Sequence, residues 1–353
     1  MMGQTGSGLK IVSVGGGTGL STLLSGLKTY VSKEPVSTRA GWVETLTAVV
    51  TVTDDGGSSG RLRDEFQILP PGDIRNCIVA LAEDEHLLTR LFQYRFESEG
   101  ELSGHSFGNL FLAALAGITG DFLEAIKVSS EVLAIKGRIF PSTVQDVALV
   151  AELMDGRVIR GETNIVESRS RIKRLRLSSE VCSPLPETLE AIKHADIITI
   201  GPGSLYTSII PNLLVDGILD SMRDSAALKV YICNIMTQPG ETDDFDVEDH
   251  LRVLFEYSPN LDLDYVLVNT SPITEDLRDK YLADGAAQVE FDSLVRGRFE
   301  EIVQATLDTP ERTRSFQLLC RDVLHEDGLV RHDPDKLARL LLEIHQAEML
   351  AAR

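Results

Sequence analysis

The run KIVSVGGGTGLSTLLSGL, Lys10 to Leu27, joins an apolar β-branched stretch, four glycines in five positions and a helix-period pattern end to end. A strand apolar throughout, with no polar alternation, belongs in a parallel sheet covered on both faces. A glycine turn between such a strand and a helix lets the backbone approach an anion at the positive helix terminus. LTAVVTVT (46–53), DIITI (196–200), KVYICNI (229–235) and YVLVNT (265–270) are further runs of this kind, separated by helical patterns such as residues 73–96. The fold class expected is α/β: a Rossmann-like, doubly wound, mainly parallel sheet.

One region departs from the alternation. Between about 132 and 179 the chain reads as a β-rich excursion, with Asp155-Gly156 as its hairpin turn. It is taken as part of one α/β nucleotide-binding domain over residues 1–353 rather than as a unit of its own. DPDKLARLLLEIHQAEMLAA, at the end of the chain, reads as an amphipathic packing helix.

Charge and composition narrow the partners. With 54 acids against 34 bases the net charge is −20, which repels nucleic acid and anionic lipid at long range. SRSRIKRLRL (168–177) is the basic exception, and without interleaved aromatics it reads as a solvated strand face, not an RNA strip. No uninterrupted apolar run is long enough to span a membrane, and no basic-then-apolar leader opens the chain. The four cysteines (Cys77, Cys182, Cys233 and Cys320) form no CxxC pair and read as reduced thiols. A cytoplasmic protein is expected.

Ligands of doubly wound sheets sit beyond the carboxyl ends of the strands, so the loops there carry the functional signal. Gly15, Gly16, Gly17, Thr18 and Gly19 follow the first run and suit a phosphate. The match to GxGxxG fails at Leu20, and no Walker lysine is present, so a tight glycine turn alone also fits. After the second run, Asp54 and Asp55 precede Gly56, Gly57 and Ser58, a loop that looks flexible. Acids there could accept from sugar hydroxyls or hold Mg²⁺. Asp54 lies 35 positions beyond Gly19, against roughly 20 in a dinucleotide fingerprint, which disfavours a nicotinamide dehydrogenase. Asp73 is placed to cap a helix whose first turn holds Arg75, expected to meet an anionic partner, and Asn76. His105, Ser106 and Asn109 open an apolar helix, either as a ligand wall or as satisfied buried groups. Gly201, Gly203, Ser204 and Thr207 follow DIITI as a second anion cradle or a second wall of the first. Asn234 lies in the loop after KVYICNI.

VGGGTGLSTLLSGLK, VTDDGGSSGRLRDE, PPGDIRNCIVAL, LSGHSFGNLFLAALAGITGDF, IGPGSLYTSIIPNLL and YICNIMTQPGETD together resemble the YvcK-like gluconeogenesis factors of the wider CofD-like superfamily. The resemblance runs from Lys10 to about Leu342. It implies a bacterial, cytoplasmic factor that binds UDP-sugars, notably UDP-N-acetylglucosamine. It further implies support of cell shape and wall synthesis on gluconeogenic carbon, through protein partners or as a homo-oligomer. It also implies that Tyr281 and Arg331 contribute to the UDP-sugar site. The more distant CofD enzymes transfer a 2-phospho-L-lactyl group to a deazaflavin with Mg²⁺; that activity is the alternative, with Asp54 and Asp55 as the metal pair. No catalytic residue is assigned.

Overall fold

In the computed structural model, which describes residues 8–32, 42–83, 86–97, 99–295 and 301–351, the apolar runs converge on one large sheet. The strands are β1 (Leu9–Gly15), β2 (Val43–Val50), β3 (Arg138–Pro141), β4 (Leu149–Leu153), β5 (Val158–Arg160), β6 (Ile172–Leu177) and β7 (Ile197–Ile200). They continue with β8 (Leu228–Ile232), β9 (Tyr265–Asn269), β10 (Ile302–Asp308), β11 (Thr313–Arg321), β12 (Leu324–Glu326) and β13 (Val330–His332). The helices that carry the loops of interest are α1 (Gly17–Leu27), α2 (Gly57–Phe66), α3 (Pro71–Leu81), α4 (His86–Gln93), α5 (Phe107–Thr119), α6 (Phe122–Val132) and α7 (Glu162–Glu167).

Eight strands lie in the order β10-β11-β9-β8-β7-β1-β2-β3. Neighbours are parallel throughout except for the antiparallel β10–β11 pair. From β1 the chain winds outward through β2 and β3, then returns to β7 on the other side and winds away. The strand order therefore reverses between β1 and β7, and the crevice at their carboxyl ends is the natural ligand position.

Alternate residues feed two cores. Val12, Val14, Ile198, Ile200, Val266 and Val268 face one side; Ile11, Ile197, Val230, Ile232 and Leu267 face the other. On that second side Leu20, Leu23, Leu24 and Leu27 of α1, at helical spacing, are fully buried, each contributing roughly 1.5–3 kcal/mol. The helix Pro334–Ala351 packs on α1 through Gly26, where a Cβ would stand 2.0 Å from the Pro334 carbonyl oxygen.

Several local expectations change. The 73–96 helical pattern is two helices, α3 and α4. Ala82 turns extended (ψ 139°) ahead of acidic residues that would lie at the negative end of a continued helix. Residues 84 and 85 of that stretch lie outside the described residues. GGSSGRLRDEF is not a flexible loop but α2, begun by a turn in which Gly56 N–H donates to Asp54 Oδ1 at 2.9 Å. The separate β-sheet spans 149–177 in the order β5-β4-β6, with the turn at Asp155-Gly156 as expected. Strand β3, inside the 132–179 stretch expected to leave the main sheet, is instead its edge strand. Leu149, Ala151, Leu153 and Leu175 share the first core with Val14 and Ile198. The β10–β11 and β12–β13 hairpins were not anticipated, although the burial of β10 alternates strictly. Among the described residues no helix is long and apolar enough to cross a membrane. The four cysteines are free and buried.

Candidate functional site

The crevice at the switch point is built from backbone. Gly15 O, at the end of β1, accepts from Thr51 N–H at 3.0 Å and from Asn212 Nδ2 at 3.0 Å, and Gly201 N–H donates to Val14 O at 2.9 Å. These bonds fix the ends of β1 and β7 side by side. Gly16 is extended and, having no side chain, offers α1 no cap of its own. Gly17 takes φ +62°, a conformation that a β-branched residue resists. At Gly19 a Cβ would stand 2.4 Å from Pro202 O, so the β1 and β7 loops meet backbone to backbone.

Polar side chains hold the second loop open. Asn234 Oδ1 accepts from Gly203 N–H at 3.3 Å, Asn234 Nδ2 donates to Gln238 Oε1 at 3.3 Å, and Gln238 Nε2 donates to Ser204 Oγ at 2.7 Å. Between the loops lies a cleft of about 190 Å³. Gly16, Gly17, Thr18, Gly19, Gly203, Ser204, Asn234 and Arg331 line it, so the structure brings these eight sequence-predicted residues together. Gly15 and Gly201 support the cleft from behind, through the strand-end bonds above. Gln238, polar in the same strand-end loop as Asn234, also lines it, as do Met236, Val330 and His332, which the sequence did not point to. Val330 and His332 belong to the β12–β13 hairpin, too short to read from periodicity.

That hairpin carries Arg331, whose side chain is exposed, on a strand packed against α1. Two bonds set its position. His332, buried and pushed down to about 4 by that burial, shares a hydrogen bond between Nε2 and Cys233 O at 3.1 Å. Val330 N–H donates to Tyr281 Oη at 3.0 Å. Tyr281 packs against Ile235, Met236 and Ile273 and lies beside the cleft, not on its wall.

Behind the Gly16–Gly17 peptide lies a second, acidic region. Asp73 does not cap its own helix, whose N-cap is Pro70. Its carboxylate accepts from Gly17 N–H, and Oδ2 would stand 2.7 Å from a Cβ at Gly16. Burial and the Asp54 charge push Asp73 up to about 6. Glu162 is pushed well above the carboxylate range by burial and by Asp54, Asp73, Glu241 and Asp55. Glu241, 4% exposed, accepts from Thr207 Oγ1 at 3.3 Å and is pushed by burial up to about 7. Asp73 and Asp54 are the anionic neighbours of Arg75; burial and Arg95 nonetheless lower its pKa, and its Nη2 donates to Asn76 Oδ1 at 2.6 Å.

Ser58, His105 and Asn109 form a buried knot: Ser58 Oγ lies 2.9 Å from His105 Nδ1 and accepts from Asn109 Nδ2 at 3.1 Å. Ser106 caps α5 by accepting from Asn109 N–H at 3.2 Å. Burial and Arg61 hold His105 below its ordinary pKa, as suits a neutral, satisfied histidine. The knot ties α2 to α5 and lies outside the cleft lining. Asp54 and Asp55 turn to different partners. Asp54 Oδ1 is engaged by Gly56 N–H, and Asp55 Oδ1 accepts both the N–H and the hydroxyl of Thr163, at 2.9 and 2.8 Å, anchoring α7. Among the described residues no group of three or more His, Cys, Asp or Glu is placed to hold a metal ion.

Comparison with known proteins gives the cleft its context. The family described as 2-phospho-L-lactate transferase CofD matches residues 11–308. A Thermotoga maritima protein is 48% identical over 336 residues, covering 95% of this chain and 99% of its own length. The gluconeogenesis factor of Bacillus subtilis is 46% identical over 337 residues, covering 95% and 98%. The crystal structure of a UPF0052 family member from Bacillus halodurans matches with a TM-score of 0.82 at 43% identity, covering 96% of this chain and all of that one.

Proposed function

The chain belongs to the CofD family and, within it, to the gluconeogenesis factors, and from that premise we propose that it binds a UDP-sugar, UDP-N-acetylglucosamine, between the β1 and β7 loops. One observation carries this reading: the first turn of α1, whose N-cap Gly16 has no side chain to offer, lines the same cleft as the exposed Arg331. A diphosphate needs both elements. Backbone N–H groups at a positive helix terminus donate to its oxygens, and a planar guanidinium offsets its charge. In a chain of net charge −20 the cation has to be local. Ser204, Asn234 and Gln238 face the remainder of the ligand with hydroxyl and amide groups. The protein then acts as a cytoplasmic regulator of wall synthesis and of growth on gluconeogenic carbon, through partners that respond to its loaded state.

Binding is expected without divalent metal, because Asp55 is committed to α7. Isothermal titration with UDP-N-acetylglucosamine, UDP and NAD, each with and without EDTA, tests this. The expected result is saturable binding of the UDP-sugar, unaffected by EDTA, and stabilisation of about 2.7 kcal/mol at a hundredfold excess over Kd. A preference for NAD would overturn the choice of ligand. Metal-dependent turnover of a deazaflavin acceptor would replace regulation with the transferase chemistry for which the family is described.

A further inference from the structure

We propose that the cleft takes up a proton with its diphosphate, and that Asp73 is the group that receives it. The inference rests on the phosphate position assigned above and adds to it a coupling between anion and proton.

The geometry is a competition for one helix terminus. Gly17 N–H, the first donor of α1, already points at a carboxylate, that of Asp73. Gly16 and Gly17 line the cleft on their other side, where an incoming phosphate would sit. Two anions would then flank a single peptide unit, one of them partly buried with reduced solvent to screen it. Every titratable or charged group that acts on Asp73 is known: Asp54 beyond β2 has the same sign, Arg75 on α3 opposes it, and Glu162 on α7 and Cys77 on α3 feel its charge. One cation therefore faces a group of carboxylates, and Arg75 is itself partly buried and close to Arg95. Adding a diphosphate increases the negative charge, and the least unfavourable relief is protonation of the carboxylate nearest to it. Asp73 is that carboxylate, and its carboxyl already stands near 6 in the ligand-free protein. Protonation of Asp73 turns a repulsive neighbour across the peptide into a neutral one.

The sign follows from linkage. A group whose pKa rises on binding takes up a proton over the interval between its free and bound values, and affinity falls as pH rises through that interval. UDP-N-acetylglucosamine is the suitable probe, because its doubly esterified diphosphate does not titrate near neutrality. Calorimetry between pH 5.5 and 8, in two buffers of different ionisation enthalpy, should show affinity weakening by up to about tenfold per pH unit above about 6.5, with proton uptake approaching one per ligand. Asp73→Asn should bind more tightly than wild type at pH 8, with no proton uptake. The wild-type measurement stands on its own if that variant does not fold. Wild-type binding with flat affinity and no proton uptake would overturn the coupling while leaving the UDP-sugar site intact. Uptake that persists in folded Asp73→Asn would move the proton to Glu162 or Glu241 and overturn the assignment. Absence of binding at every pH would remove the phosphate position, and this inference with it.

Discussion

The glycine cradle and the acidic region behind it are separated by one peptide unit, Gly16–Gly17, and solve opposite problems. In the cradle the donors are a helix start whose N-cap is a glycine, and one guanidinium reaching in from the β12–β13 hairpin. In the acidic region the carboxylates are partly or fully buried and claimed by neighbouring groups: Asp55 by Thr163, Glu241 by Thr207, Asp73 by the Gly17 backbone. The contrast teaches that net charge says little about what such a chain binds. A protein with 20 excess negative charges can hold an anion where backbone, which carries no formal charge, does the holding.

The largest expected effect breaks the cradle itself. Gly19→Val drives a side chain into the Pro202 carbonyl, and Gly17→Val adds a β-branched residue at φ +62°. Both should lose UDP-sugar binding beyond detection by titration while circular dichroism reports a folded protein. Gly117→Ala is the control. It has open space on α5 and should leave affinity unchanged. Wild-type affinity in folded Gly19→Val would show that the ligand does not use the junction of the two loops.

The next effect sharpens the acidic side of the contrast, in the absence of ligand. Asp73 stands near 6 in the folded chain against 3.8 for an ordinary aspartate, so the folded state holds more protons between those values. Stability is then fullest below about pH 4 for this group and is lost as pH rises through about 6. The loss at neutral pH is on the order of 3 kcal/mol, two units at about 1.4 each. Glu241, near 7, acts in the same direction. Asp73→Asn should accordingly unfold at higher urea concentration than wild type at pH 8, with the difference shrinking at pH 5. A variant less stable than wild type at pH 8 would mean that Asp73 is favourably ionised by partners stronger than Arg75.

On the cradle side, Arg331→Ala should weaken UDP and UDP-N-acetylglucosamine alike, because the two share the diphosphate. A lost charge-assisted contact is worth roughly 1.5–3 kcal/mol, a tenfold to hundredfold rise in Kd. The exposed side chain makes a folding defect unexpected. Titration at two salt concentrations should show a shallower salt dependence in the variant. An unchanged salt slope would place the ligand's charge elsewhere.

How much of this was legible in the sequence follows the same division. The parallel strands were readable because burial on both faces leaves continuous apolar runs, and the cradle because glycine is needed where backbone meets backbone. Helix α2 was hidden, because GGSSG has poor helix propensity and only the Asp54 turn and tertiary packing make it helical. The roles of the acids were hidden for another reason. Asp54, Asp55 and Asp73 look alike as carboxylates in glycine-rich loops, and which of them meets Gly17 or Thr163 is decided by α3 and α7 packing from elsewhere in the chain. The β12–β13 hairpin was too short for periodicity to reveal, so Arg331 was found only through family likeness and Tyr281 was placed on the ligand's wall instead of behind it.

Tyr281 supplies the smallest and most discriminating test. If it holds the hairpin, its essential atom is Oη, which accepts from Val330 N–H next to Arg331, while its ring packs on Ile235, Met236 and Ile273. Tyr281→Phe keeps the ring and leaves a partly buried N–H without its acceptor, a loss of about 0.5–1.5 kcal/mol. Affinity for the UDP-sugar should then fall by a few-fold at most, through a hairpin that positions Arg331 less firmly, and the salt dependence should stay that of wild type. Tyr281→Ala removes the packing as well and should weaken binding further. Combining Tyr281→Phe with Arg331→Ala separates the explanations. If the hydroxyl works only through the arginine, the double variant binds no more weakly than Arg331→Ala alone. If the ring instead stacks on the ligand, Tyr281→Phe binds as wild type, and Tyr281→Ala adds its full loss on top of that of Arg331. Additive losses from Phe and Ala alike would put Tyr281 on the wall of the cleft, contrary to the hydrogen bond that now places it behind.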